Sequence, residues 1–331
     1  MLTEVRPAGL DRILTLELVR VTERAAVAAA RLRGRGDEKA ADQAAVDALR
    51  RELNTLAIAG TVVIGEGERD EAPMLYIGET VGTGNGPQVD VALDPLEGTT
   101  ICAKNLPNSL AVVAIAEGGT LLHAPDVYMD KIAIGPGYAE GLVDLDRTPA
   151  ENIAALAKAK GVRVEAIAAC ILDRPRHARL IEEVRATGAA VRLIGDGDVA
   201  GVIDVTDPDT SGIDIYLGIG GAPEGVLAAA ALCCTGGQMQ GRLVTQSEAQ
   251  KVRARRMGVT DFDRKFSHRE MVRGEVLFAA TGVTDGNLLK GVRFERNGRV
   301  STETLVMRSS KGTIRFIKAM HRENEKFSTE S

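Results

Sequence analysis

The chain has no tryptophan, and only 3% of its 331 residues are aromatic. That leaves no platform on which nucleic-acid bases would stack. Positive charge is not in excess either: 41 Lys and Arg stand against 46 Asp and Glu, a formal net charge of −5, with the basic residues scattered. Neither nucleic acid nor a membrane surface is expected as a partner, and an anionic substrate must be held by local groups. No apolar run approaches the roughly 20 residues of a membrane span, and the start, Met1-Leu2-Thr3-Glu4-Val5-Arg6, lacks the layout of a signal peptide. A cytoplasmic protein is expected. The four cysteines, at 102, 170, 233 and 234, make no CxxC pair. With only Cys233-Cys234 adjacent, inside an apolar stretch, they read as reduced core thiols. The four histidines are dispersed, and none is singled out as a ligand or base.

What is present is a composition 44% hydrophobic over a length that predicts about two domains. Residues 10–33 and 39–57 read as helices around the hinge Gly34-Arg35-Gly36-Asp37, whose Asp37 suits the cap of the second. Short β-branched runs follow at 61–65, 89–93, 109–116 and 131–134. From Pro149 the pattern alternates: helix 149–160, strand 164–172, helix 175–187, strand 190–194, a short helix near Val199, strand 213–217 and helix 223–234. That alternation predicts βαβ units. Strands are expected again at 276–280, 292–295, 304–308 and 313–319, the last two joined by Ser309-Ser310-Lys311-Gly312. The last ten residues read as frayed and polar. The composition shift near 149–161 divides the chain into an expected α+β domain over 1–160, carrying most of the acids discussed next, and an α/β domain over 161–331.

The run Asp94-Pro95-Leu96-Glu97-Gly98-Thr99-Thr100 closes an apolar strand and sets two carboxylates three residues apart on a turn, just ahead of hydroxyls and backbone N–H groups. Hard divalent cations take oxygen ligands and keep positions open for water and a substrate phosphate, so this loop suits a metal-dependent phosphatase or, alternatively, a solvated Pro-Gly turn. Other acids stand in places that call for a partner. On the second helix Val46, Leu49, Leu53 and Leu56 form one stripe, and four residues back lies Asp42. A carboxylate on an inward face is costly unless a partner or metal compensates it, and the alternative is simple stabilisation of the helix N-terminus by an acid. Glu66, after an apolar strand, shares a face with Val62 and Ile64 and points inward or, taken alone, is a loop acid, whereas Glu68, Arg69, Asp70 and Glu71 read as a solvated loop. Glu224 lies in Gly218-Ile219-Gly220-Gly221-Ala222-Pro223-Glu224-Gly225, a glycine-rich loop that opens a helix. A dinucleotide fingerprint is excluded there, because the acid would repel a pyrophosphate and no ribose-binding acid follows about 20 residues on. Glu224 makes sense instead as a further ligand.

Leu172-Asp173-Arg174-Pro175-Arg176-His177 places two arginines at a helix start, where the macrodipole disfavours them. Two guanidinium groups beside open N–H groups make a seat for a phosphate dianion or, alternatively, are a solvated pair. Asp196-Gly197-Asp198 follows a strand and suits either sugar hydroxyls or the cap of the next helix. Tyr128 is one of four tyrosines, either a phosphate donor or a core residue.

In order along residues 10–320, Gly34-Arg35-Gly36-Asp37 with Ala41-Asp42, Ile64-Gly65-Glu66-Gly67-Glu68, Ala72-Pro73-Met74-Leu75-Tyr76, the 94–100 loop, 171–177, 196–200, 218–225 and Ala280-Thr281-Gly282-Val283-Thr284 resemble the class II fructose-1,6-bisphosphatases, within the lithium-sensitive sugar phosphatase superfamily. The resemblance implies an α/β fold layered α/β/α/β/α with two sheet-containing halves, dependence on Mn²⁺ or Mg²⁺, and a cytoplasmic homo-oligomer, a dimer or tetramer. It implies one metal on Asp42 and Glu66 and another on Asp94, Glu97 and Glu224. The scissile phosphate would lie against Glu97, Gly98 and Thr99, with Thr99 and Glu97 as the catalytic pair. Tyr128, Arg174, Pro175, Arg176, Asp196, Gly197, Asp198 and Gly221 would bind the rest of the sugar bisphosphate. One departure is visible: many members have Lys directly after the Asp of the Gly-Arg-Gly-Asp run, where this chain has Glu38 and then Lys39. The expected reaction is hydrolysis of the 1-phosphate of fructose 1,6-bisphosphate. A phosphatase acting also on sedoheptulose 1,7-bisphosphate, an inositol-phosphate phosphatase and a non-catalytic phosphosugar sensor are the alternatives.

Overall fold

A computed structural model of the chain describes residue 10 and residues 12–67, 74–296 and 298–327. In chain order its elements begin α1 (Arg12–Ala30), α2 (Glu38–Leu53), β1 (Ala59–Ile64), β2 (Thr80–Val81), β3 (Gln88–Glu97), α3 (Thr99–Ala103), β4 (Leu110–Glu117) and β5 (Tyr128–Ile134). They continue with α4 (Pro149–Lys160), β6 (Ala168–Leu172), α5 (Ala178–Ala186), β7 (Ala190–Ile194), α6 (Asp198–Ile203), α7 (Pro208–Ser211), β8 (Ile215–Gly221), α8 (Ala222–Thr235) and β9 (Gln238–Val244). The remainder is α9 (Glu248–Arg256), β10 (Lys265–Ser267), α10 (His268–Met271), β11 (Val276–Gly282), β12 (Arg293–Phe294), β13 (Arg299–Arg308), β14 (Thr313–Arg322) and α11 (Glu323–Lys326). The loop expected over Glu68–Glu71 and the Ala72-Pro73 pair lie outside the described residues.

The fold is α/β with two mixed sheets, each inside one of two compact units. The first unit joins Met1–Leu121 to Gly274–Ser331, and the second is Leu122–Arg273. Contacts therefore divide the chain at 121/122 and 273/274 rather than at the expected 160/161. The reason is strand pairing: β11 bonds antiparallel to β4 along its whole length, which returns the C-terminal strands to the first sheet.

The first sheet runs β12-β13-β11-β4-β3-β1-β2, with β14 also on β13. β1 and β3 are parallel and β4 is antiparallel to β3. α1 lies over this sheet because Leu14, Leu18, Val21, Ala25 and Ala29, spaced by three or four, form one buried stripe. The second sheet runs β10-β9-β5-β8-β6-β7, with β6 parallel to β7 and β8 and β5 antiparallel to β8. Its core includes Ile132, Ile134, Ile153, Leu156, Ile171 and Leu217.

Local chemistry sets several boundaries. Asp37 accepts a hydrogen bond from the Ala40 N–H and starts α2. Thr148 and Glu151 form a capping box around Pro149, and Gly161 ends α4 in the left-handed region, so this helix falls where the sequence places it. α2, expected to reach residue 57, stops at Leu53, and Leu56 is buried from the turn beyond. Residues 164–166, expected as strand, and 175–177, expected as helix, are single 3₁₀ turns. Two larger differences concern the site. β3 continues through Glu97, so the Asp94–Glu97 stretch is strand with an irregular register, not a turn. The glycine-rich stretch 218–221 is likewise strand, part of β8 paired with β5, not loop. At the C-terminus, α11 and buried Phe327 replace the expected fraying over residues 323–327. No described helix is long and apolar enough to cross a membrane.

Candidate active site

In each unit the expected site residues gather at the carboxyl ends of parallel strands, where open α/β sheets leave a crevice for ligands. In the first unit Glu66 follows β1, and Asp94 and Glu97 end β3. Asp42 enters from the N-terminal half of α2, half-buried beside Ala41, Ala45 and Leu49. Burial pushes the Asp42 carboxyl up. It also pushes Glu66 up, and with the added repulsion of Asp94 and then Asp42 that group reaches about 8. Every cause acting on Glu66 raises it, so three acids from three separate elements share one pocket of negative potential. A carboxylate oxygen of Asp94 and one of Glu97 lie within 4.8 Å of each other.

Internal hydrogen bonds order the backbone here. The Leu96 N–H donates to Asp94 Oδ1 at 3.0 Å across Pro95, which has no N–H of its own to give. Ser109 Oγ donates to the Glu97 carbonyl at 3.0 Å and ties the end of β3 to β4. Gly98 then turns the chain with φ 79°, and Thr99 and Thr100 open α3. A side chain at 98 would be strained by that φ and would meet Ile101 Cδ1 at 3.0 Å. Beyond this turn the first N–H groups of α3 have no acceptor within the helix, and the Thr99 hydroxyl stands half-buried among them.

In the second unit β6, β7 and β8 end together, carrying Arg174–Arg176, Asp196–Asp198 and Gly221–Glu224, and antiparallel β5 begins there with Tyr128. Arg176 donates through Nε (3.1 Å) and Nη2 (2.7 Å) to the Ile219 carbonyl, and its guanidinium lies 4.7 Å from the centre of the Tyr128 ring. Arg174 donates to the Gly195 carbonyl and lies 3.4 Å from Asp196 Oδ1. Both arginines keep solvent-facing surface, and Pro175 starts the turn between them. Gly197, with φ 77°, leads into α6, and Glu224 stands in the first turn of α8 behind Gly221.

Asp198 departs from the expectation of a sugar contact through its side chain. Its carboxylate is 5% exposed and accepts from Lys131 Nζ at 2.6 Å and from the Tyr216 hydroxyl at 3.3 Å. Lys131, 1% exposed, was not singled out by its position in an apolar strand, although a lysine flanked by core residues is itself the signal. His177 is the second residue missed: it is buried and hydrogen-bonded on both ring nitrogens. Glu38 and Lys39, at the departure from the family pattern, are both exposed at the start of α2. The four cysteines are free, as expected, and burial pushes each thiol up, which suits reduced, unreactive residues.

Comparison with known proteins agrees with the chemistry. Residues 12–321 match the family described as bacterial fructose-1,6-bisphosphatase, glpX-encoded. The chain is 44% identical, over 94% of its length and 96% of the relative's, to the D-fructose 1,6-bisphosphatase class 2/sedoheptulose 1,7-bisphosphatase of Synechococcus sp. (strain JA-3-3Ab). It is 43% identical, over 94% of its length and 97% of the relative's, to the protein of the same description from Synechococcus elongatus.

Proposed function

The chain belongs to the glpX-encoded bacterial fructose-1,6-bisphosphatase family and is a phosphoric monoester hydrolase, and from that premise we propose how its residues divide the work on fructose 1,6-bisphosphate. The products are fructose 6-phosphate and inorganic phosphate. The observation that carries the reading is the cluster Asp42, Glu66 and Asp94, in which burial and then the charges of Asp94 and Asp42 raise Glu66 to about 8. Such a set of oxygen donors fits a hard divalent cation, Mg²⁺ or Mn²⁺, which relieves the repulsion. In our reading Asp42 and Glu66 hold one ion, and Asp94, Glu97 and Glu224 hold another. Bound divalent cations supply charge neutralisation at phosphate oxygens and a more acidic bound water.

The chain's own residues supply position and proton control. Gly98 and Thr99 present backbone N–H groups to the 1-phosphate. The Thr99 hydroxyl, polarised by Glu97, orients the attacking water for in-line displacement, with no covalent intermediate. Arg174 and Arg176 take the 6-phosphate, and the binding energy gained there aligns the scissile ester. Tyr128, stacked under Arg176, limits that guanidinium to one plane. Asp196, with the backbone of Gly197 and Asp198, takes sugar hydroxyls, while the Asp198 carboxylate serves Lys131. Pro175 and Gly221 shape the backbone at the strand ends. Exposed Ile314, Phe316 and Met320 on β14, paired among described strands only with β13, support a homo-oligomer, which we place in the cytoplasm.

The named activities of the relatives favour one second reading, that sedoheptulose 1,7-bisphosphate is also a substrate. Phosphate release with Mn²⁺ and with Mg²⁺, over fructose 1,6-bisphosphate, sedoheptulose 1,7-bisphosphate, fructose 6-phosphate and an inositol monophosphate, tests both. Activity on the bisphosphates is expected. Preference for the inositol ester, or binding without turnover, refutes the proposal.

A further inference from the structure

The parallel ladder between β6 and β8 stops early. It pairs Ala169 with Ile215 and Cys170 with Tyr216, yet β6 runs on to Leu172 and β8 to Gly221. Beyond the last pair the His177 imidazole takes over the bridging. Nδ1 lies 2.8 Å from the Leu172 carbonyl, and Nε2 accepts from the Ile219 N–H at 2.8 Å. A carbonyl accepts only and an amide N–H donates only, so these partners require the neutral Nδ1–H tautomer. Burial, reinforced by the neighbouring charges of Arg176 and Arg174, lowers the pKa of this group and favours the same form. Gly218 completes the arrangement. With φ 138° it passes the ring so closely that a Cβ would lie 3.1 Å from Nε2.

Ile219, so held through its N–H, also offers the carbonyl that receives both donors of Arg176. A chain of contacts therefore runs from Leu172 through His177 and Ile219 to Arg176 and on to the Tyr128 ring. We infer that His177 is a positioning residue for the phosphate remote from the scissile bond, acting through the backbone of Ile219 to hold the Arg176 guanidinium in its phosphate-facing plane. The inference rests on the assignment of Arg176 to the 6-phosphate. It requires no contact between His177 and the substrate.

The test compares two substrates that differ only at that phosphate. His177→Asn keeps a donor near Leu172 and loses the acceptor for Ile219, whereas His177→Gln carries an amide oxygen toward the Nε2 position. His177→Asn is expected to raise KM for fructose 1,6-bisphosphate about tenfold more than KM for fructose 1-phosphate, with kcat for the two falling by the same small factor. His177→Gln is expected to recover most of that difference. Equal losses on both substrates, or equal defects in the two variants, overturn the role of His177. Should His177→Asn not fold, the imidazole ¹⁵N shifts of the Mg²⁺-loaded wild type decide: an Nδ1–H ring at pH 7 supports the role, and an Nε2–H or doubly protonated ring overturns it. Wild-type enzyme inert to both esters would instead overturn the functional reading, and this role with it.

Discussion

Replacing Glu66 by Gln probes the acidic cluster without changing its shape. In the metal-free chain Glu66 is raised from 4.5 to about 8. An unfolded carboxyl loses its proton near 4.5, so above that pH the unfolded state is favoured by ionisation while the folded group stays protonated until about 8. The stability associated with this group is therefore complete below pH 4.5 and falls as pH climbs to about 8. The loss is about 3 kcal/mol at pH 7 and approaches about 5 kcal/mol above pH 8. Gln does not titrate, so Glu66→Gln should cancel that slope. Urea unfolding of both proteins in EDTA, from pH 5 to 9, reads the difference directly. The variant should gain on the wild type steadily across the window. Mn²⁺ should reverse the order, because a bound cation favours the ionised carboxylate, and the wild type should release a proton on binding near pH 7. Parallel pH curves for the two proteins in EDTA would refute the shared negative potential at Asp42, Glu66 and Asp94.

Thr99→Ala should lower kcat by on the order of 100-fold or more while calorimetric Mn²⁺ binding is retained, and near-normal turnover would remove Thr99 from the reaction. Arg176→Ala should act mainly on KM for the bisphosphate, raising it roughly 10- to 100-fold, and an unchanged KM would place the 6-phosphate elsewhere. Lys131→Met should cost about 3–5 kcal/mol of unfolding free energy by leaving the Asp198 carboxylate buried without its cation. The double variant Lys131→Met/Asp198→Leu should recover much of that loss, and additive losses would show that the pair is not coupled.

Much of this protein was legible before its structure. Asp37 before α2, the Thr148–Glu151 box before α4 and Gly161 after it act on N–H and carbonyl groups within one helical turn, so a linear reading finds them. The acids at strand ends were legible for a similar reason, since a carboxylate directly after an apolar run has few structural uses. The continuation of β3 through Glu97 was not, because Pro95 reads as a breaker until Ser109 and β4 are seen to hold the bulged strand in register. The strand at 218–221 was hidden likewise: glycines read as loop until Asp198, Glu224 and His177 are found packed where their side chains would be.

The amino-acid order alone determined the chemistry offered: hard oxygen donors at the ends of apolar runs, a pair of guanidinium groups after another, and no CxxC pair among the thiols. Only the tertiary structure decided that residues 274–327 return to the first sheet, that Lys131 claims the Asp198 carboxylate, and that His177 stands in for a broken ladder. Caps and periodicity are short-range forces written into neighbouring residues. The pairing of β4 with β11, across more than 150 residues of chain, depends on complementary edges that no local window contains.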